Sequence, residues 1–457
     1  MRKVLTVLFL FVLVALVACG GGGSAPAKPA QPDQPAASGG ATESEAAAPE
    51  SVAKEPVSLR IWTHQNNAFN AAYQTQIDAY MAANPNVTIT LETFDYDTYI
   101  QTLQTSLPAG TEADIIQMFG SWVCSYAEGG NLAEMPSSVI SLADAEAQLF
   151  PAQIGGYICD GKLYGVPQEF NIEYGATLVN TAAADEVGLT DITAGWANWD
   201  EFIADAKALT ITQDGVITRT GYHFTASDSL PATFYSLILQ NGGQYLSDDG
   251  TFTVDTPEGQ AALALMKRFV DEGIIDPVLF NDESNWVGES FFDGSSAMGL
   301  IGPWAVPEYS GDYPEMAAVT QYVDLPTVKG TQALVAASGW GLSVSQRSPA
   351  QDVAWDFVRF IALEPAHAEE WNLASGTLPA LRANGEGAAA EHLIAQFPHF
   401  GPWMGLLPYA QYEGAFPDRD LVWYEITYPR VLSFLQGTAT ADETLATLER
   451  EVRETFK

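Results

Sequence analysis

The sequence predicts an α/β protein. Three observations carry this. Strand-like and helix-like runs alternate from residue 57 onward, the alternation resumes in a second region after residue 176, and 457 residues with 47% hydrophobic composition are ample for a packed core. Val57-Ser58-Leu59-Arg60-Ile61-Trp62 is β-rich and alternating, and reads as the first strand. A polar loop over 63–67 follows, then Phe69, Tyr73, Ile77 and Tyr80 recur at helical spacing until Asn84-Pro85-Asn86 breaks the pattern. Residues 87–91 make a second strand, 99–107 a second helix ending at Pro108-Ala109-Gly110, and 114–118 a short third strand. Strand, helix, strand, helix, strand implies parallel pairing with right-handed crossovers, and ligands of such sheets sit beyond the carboxyl ends of the strands. The loops expected at 63–67 and 120–122 fall there.

Downstream, a polar and aromatic stretch over 168–174 leads into a strand at 176–180. Helices are expected near 199–209, 231–240 and 257–272, a glycine-bearing strand at 336–345, and a strong helix at 349–363. The closing helix starts at Thr440-Ala441-Asp442-Glu443 and carries Leu445, Leu448 and Val452 on one face.

Acidic residues outnumber basic ones by 57 to 19, a formal net charge of −38. A chain so negative repels nucleic-acid phosphates, so nucleic acid is excluded as a partner, and anionic lipid surfaces are disfavoured. Neutral or cationic ligands remain. Residues 1–18 carry Arg2 and Lys3, an unbroken apolar run and then small residues, which is the pattern of a secretory signal. Leu16-Val17-Ala18-Cys19 resembles the lipobox of bacterial lipoproteins, which implies cleavage before Cys19, acylation of its thiol and an extracytoplasmic chain anchored to the cell membrane. Residues 19–56 are almost wholly Gly, Ala, Pro, Ser, Gln and Glu and read as a disordered tether. Of three cysteines, Cys124 and Cys159 remain; export permits a disulfide, and two buried free thiols are the other reading. No Cys/His cluster suggests a metal, and no cofactor motif appears.

In chain order, LRIWTHQNN, ADIIQMFGSW, GKLYGVPQEFNIEYGATLVN, SFFDGSSAMGLIGPWAV, SGWGLSVS with QDVAWDFVRFI, ASGTLPALRA and TATADETLATLEREV resemble the maltose-binding-protein-like family of extracellular solute-binding proteins, the lipoprotein component of bacterial ATP-driven (ABC-type) sugar importers. The resemblance spans almost the whole body. It implies a periplasmic-binding-protein-like fold: two α/β lobes joined by hinge crossover strands, with a ligand in the interlobe cleft. One lobe is expected to comprise 57–170 plus 342–400, the other 171–341 plus 401–457, with crossovers near 169–174, 338–341 and 401–407. It further implies a monomer that captures a carbohydrate by lobe closure and delivers it to membrane permease subunits, with no catalytic residue.

A sugar offers apolar CH faces to aromatic rings and a hydroxyl rim to amides and carboxylates. Carried onto this sequence, the resemblance nominates Gln65, Asn66 and Asn67 after the first strand, Ser121 and Trp122 after the third, and Glu169, Asn171 and Tyr174 on the first crossover. It also nominates Trp304 of Gly302-Pro303-Trp304, Trp340 between two glycines, and Trp423. Each has a plainer alternative: the amides as helix caps, Trp122 and Trp423 as core, Glu169 as a solvated charge, Trp340 as hinge packing. Trp403, after Pro402, is likewise expected in a loop, whereas Trp355 and Trp371 sit on apolar helical faces and read as core. A polyamine, peptide or phosphorylated sugar are other solutes for the same fold. An exported carbohydrate-active enzyme would need a carboxylate pair, and no local motif singles one out. A passive surface protein would need no paired lobes.

Overall fold

The computed structural model describes residues 55–226, 228–247, 250–414, 416 and 418–456. The expected signal, Cys19 and nearly all of the tether lie outside the described residues. The first strand, β1 (Val57–His64), pairs in parallel with β2 (Val87–Phe94), Val57 opposite Val87, and with β3 (Ile115–Phe119), Ile61 opposite Ile115. Helices α1 (Asn67–Ala83) and α2 (Tyr96–Ala109) make the crossovers, burying Phe69, Tyr73, Ile77 and Tyr80 from one and Tyr99, Leu103 and Leu107 from the other. The strand Trp340–Val344 joins the far side of β3 antiparallel and is itself flanked by Val166–Pro167. A second sheet has Ala176–Asn180 at its centre between Met298–Gly299 and Thr320–Asp324, both antiparallel to it.

Two hydrophobic cores follow from these sheets. One gathers residues of 59–166 and 337–381; the other gathers residues between 150 and 336 together with others from 378 onward. The chain changes core between Val166 and Phe170, between Ala336 and Ala337, and between Leu381 and Leu393. The first two passages lie close to the expected crossovers. The third falls earlier than 401–407: Phe400–Met404 is a helix inside the second core, with Trp403 fully buried rather than in a loop. Trp340 likewise packs into the first core and Leu393 into the second.

The glycine-bearing segment is two strands rather than one. Leu334–Ala336 pairs with Ala410–Tyr412, whereas Trp340–Val344 enters the first sheet. Gly339, at φ +66°, sits in the left-handed region between them. A Cβ there would meet the Glu169 Cγ at 2.9 Å.

Local chemistry sets the ends of the elements. Asn66 caps α1 by accepting from Phe69 N at 2.8 Å. Thr440 and Glu443 form a capping box on the last helix, Ala441–Thr455, whose Leu445, Leu448 and Val452 are buried as the pattern predicts. Trp355 and Trp371 are both core, each 1% exposed. Cys124 and Cys159 are joined by a disulfide, Cα to Cα 5.4 Å, which ties α3 (Gly120–Glu128) to the strand pair at 158–163.

Candidate functional site

Between the lobes lies a cavity of about 1210 Å³, lined from both sides. Of the residues nominated from sequence, Gln65, Asn66, Ser121, Trp122, Glu169, Asn171, Trp304 and Trp340 line it. The amide of Asn66 is both cap and lining. Ser121 and Trp122 stand in the first turn of α3 rather than in a loop, because the chain turns from β3 directly into helix.

Three nominees do not line it. Asn67 is the first residue of α1, exposed, and its side chain takes a hydrogen bond from Gln65 Nε2 at 3.2 Å. Tyr174 is fully buried in the second core. Trp423 is 2% exposed within the π-helix Leu421–Thr427, with the Arg419 guanidinium 4.0 Å over its ring. Its neighbour Tyr424 lines the cleft instead.

The stretch 169–174 explains two of these outcomes. It is extended, so side chains alternate between faces. Phe170, Ile172 and Tyr174 enter the second core, while Glu169, Asn171 and Glu173 line the cavity. Glu173, missed from sequence, was marked by that same period of two. Other residues missed include His64 at the end of β1, Tyr96, Trp286, Asp228, Glu308 and Asp420.

The polar groups are held in place. Glu169 Oε1 accepts from Trp340 N at 2.8 Å, fixing the backbone beside the Trp340 ring. That ring stacks on His64, centroids 4.3 Å apart at 26°, and meets Trp122 edge-on at 5.3 Å and 88°. Glu173 accepts from Gly302 N at 2.6 Å and from the Trp304 indole at 2.9 Å, so one carboxylate orients the Gly-Pro-Trp turn. Trp286 stacks near Trp304 at 6.2 Å. Tyr424 donates to Asp228 at 2.6 Å and receives a hydrogen bond from Arg419, whose Nε reaches Glu413 at 2.8 Å.

Burial sets the electrostatics. It pushes the Glu169 carboxyl up to about 8, partly opposed by the Trp340 N–H. Burial also raises Glu173, and the charges of Asp228 and Glu169 add to the effect. It lowers His64 to about 4 despite the hydrogen bond to Gln117, so the imidazole is neutral at pH 7. The two lobes touch across the cleft: Trp122 Nε1 donates to Asp420 at 2.5 Å, and Glu308, from the short helix Ala305–Ser310, accepts from Ala68 N at 3.3 Å in the first turn of α1.

Residues 75–395 match the family model described as bacterial extracellular solute-binding protein. The chain belongs to that family. Among similar chains, a relative in Brucella abortus is 24% identical over 372 residues, covering 80% of this solute-binding protein and 85% of the relative. An arabinooligosaccharide-binding protein of Halalkalibacterium halodurans is 23% identical over 300 residues, 63% of each chain. The GacH receptor of Streptomyces glaucescens, solved unliganded and with acarbose, superposes with a TM-score of 0.71 at 19% identity, over 88% of this solute-binding protein and 98% of the receptor. The two-lobed α/β fold is thus common to both.

Proposed function

We propose that this solute-binding protein captures a carbohydrate of oligosaccharide size in the interlobe cleft and delivers it to the membrane permease of an ATP-driven (ABC-type) importer. The observation that carries the reading is the pairing of tryptophans from both lobes, Trp122 and Trp340 from one and Trp286 and Trp304 from the other, with carboxylates and amides between them. Indole faces suit the CH faces of pyranose rings, and the polar groups suit their hydroxyls. The cavity, about 1210 Å³, exceeds the roughly 300–1,000 Å³ usual for a small-molecule pocket, which leaves room for several rings. The similar proteins named for an arabino-oligosaccharide and solved with acarbose support the same reading.

A ligand that touches both lobes favours the closed form by its differential affinity, and the closed form is what a permease would recognise. Affinity near 1 μM, about −8 kcal/mol, allows both capture and release. Titration with an oligosaccharide panel, followed by tryptophan fluorescence, is the test. Saturable quenching or enhancement by at least one saccharide is expected, together with at least tenfold weaker binding in Trp304→Ala. Failure of every saccharide to bind, or unchanged binding in Trp304→Ala, overturns the assignment.

Catalysis is not part of the reading, and turnover of a chromogenic glycoside by the pure protein would contradict it. The mature chain is read as a monomer anchored through lipid on Cys19. Labelled fatty acid should enter the wild type and not Cys19→Ala, which should be released to the medium.

A further inference from the structure

Nine of the 29 residues lining the cleft are Asp or Glu, and none is Lys or Arg. For the chain as a whole the acidic share is 57 in 457. The cleft lining is therefore more than twice as acidic as the chain; Asp282, Glu289, Asp418 and Glu425 are exposed at its rim, whereas Glu169 is buried. Arg419, one layer back, is already engaged by Glu413, Asp420 and Tyr424. His64 is neutral.

With no counter-charge beside them, burial keeps the Glu169 and Glu173 carboxyls protonated near neutral pH, and sugar hydroxyls do not offset the cost of ionising them. Burying like charges together is costly unless an opposite charge joins them. Glu169 is 4% exposed; one of its oxygens takes the Trp340 N–H, and the other has no partner among the described residues. Glu173 and Asp228 lie within electrostatic range of one another. Trp122, Trp340 and Tyr96 line the same cavity, and aromatic faces attract cations.

We propose that the solute of this cleft carries a protonated amine, seated against Glu169, Glu173 and Asp228. An ammonium brings three donors and one positive charge to a point where acceptors outnumber donors. The inference rests on the carbohydrate reading for the scaffold that bears the amine, which makes an amino sugar or amino-oligosaccharide the ligand class. An aliphatic polyamine shares the same cationic chemistry and is separated from it by experiment.

The test is calorimetric titration of the full chain at pH 7 with matched pairs that differ only by amine for hydroxyl: glucosamine and glucose, galactosamine and galactose, and chitosan and cello-oligosaccharides of two to four units. N-acetylated chitin oligomers and spermidine complete the set. The expected result is that the amine member of at least one pair binds at least tenfold tighter. That preference should fall below threefold in 0.5 M NaCl, in Glu169→Gln, and in Asp228→Asn, each variant checked for an unchanged thermal transition at pH 6.

If the hydroxyl or N-acetyl members bind as tightly as the amines, the proposal fails while the carbohydrate reading stands. If spermidine binds and no saccharide does, the carbohydrate reading and with it the amino-sugar class fail, while the seat for an amine stands. If nothing binds, both fail.

Discussion

The indole N–H of Trp122 donates to the carboxylate of Asp420 at 2.5 Å, joining the first turn of α3 in one lobe to the segment before Tyr424 in the other. Asp420 also takes Arg419 Nη1 at 3.2 Å, so its two oxygens are committed, one to each lobe. A charge-assisted hydrogen bond of this kind contributes about 1–2 kcal/mol net. Trp122→Phe keeps the ring and removes the donor. It should enlarge the radius of gyration of the ligand-free protein in solution scattering and weaken ligand binding roughly fivefold to thirtyfold. An unchanged scattering profile would mean that the contact does not hold the lobes.

Glu413 and Arg419 form the most deeply buried ion pair described, at 0% and 2% side-chain exposure. Removing one partner of a buried pair strands the other, at a cost of about 3–5 kcal/mol. Arg419→Met should therefore lower the urea midpoint sharply, whereas the double variant Arg419→Met with Glu413→Gln should recover part of the loss. Equal loss in both would show that the arginine acts through packing on Trp423 rather than through charge.

Stability should depend on pH with a definite sign. Glu169, raised by burial to about 8, holds its proton in the folded chain over a range where the unfolded chain has released it. The folded state then binds more protons, and stability falls as pH rises toward 8. His64 and His223, lowered by burial to about 4 and about 3, act the other way, but only below the ordinary histidine value near 6.5. Between pH 6.5 and 8.5 the carboxyls act alone, and ligand-free protein should lose about 1–2 kcal/mol per unmatched carboxyl. Glu169→Gln should flatten that slope in urea melts taken at the two pH values.

The Cys124–Cys159 bond closes a loop over a separation of 35 residues within the first lobe. Chain-entropy arguments assign such a loop about 3–4 kcal/mol. Replacing both cysteines by serine should cost stability of that order in equilibrium unfolding while leaving ligand affinity within about threefold, since neither cysteine lines the cleft.

Much of the fold was legible because the first 60 residues of the body alternate strand and helix with clear breaks, and β1, β2 and β3 pair in parallel as that order requires. The last helix was equally plain from its capping box and apolar stripe. Misreadings arose where local composition pointed away from tertiary context. Gly401-Pro402 reads as a loop, yet Trp403 beside it is swallowed by the second core. Trp423 is nominated by the family resemblance with core as the alternative, and the structure buries it while the adjacent Tyr424 lines the cleft. Tyr174 is nominated with the rest of the first crossover, yet the alternation from Glu169 to Glu173 sets it on the core face. The acidic wall was hidden for a different reason. Its members come from distant stretches of chain, and only folding brings Asp228 and Asp420 into the cavity that Glu173 lines.

The place of Trp340–Val344 in the first sheet has a consequence for biosynthesis. β3 is complete by residue 119, but the strand that covers its open side is translated more than 200 residues later. The early part of the chain emerges with an uncovered edge and half a core, and such distant pairing is slow to form. A nascent chain of this design cannot lock itself into a finished lobe prematurely, which keeps it threadable, the condition under which a polypeptide can still be drawn through a membrane channel before it takes shape on the other side.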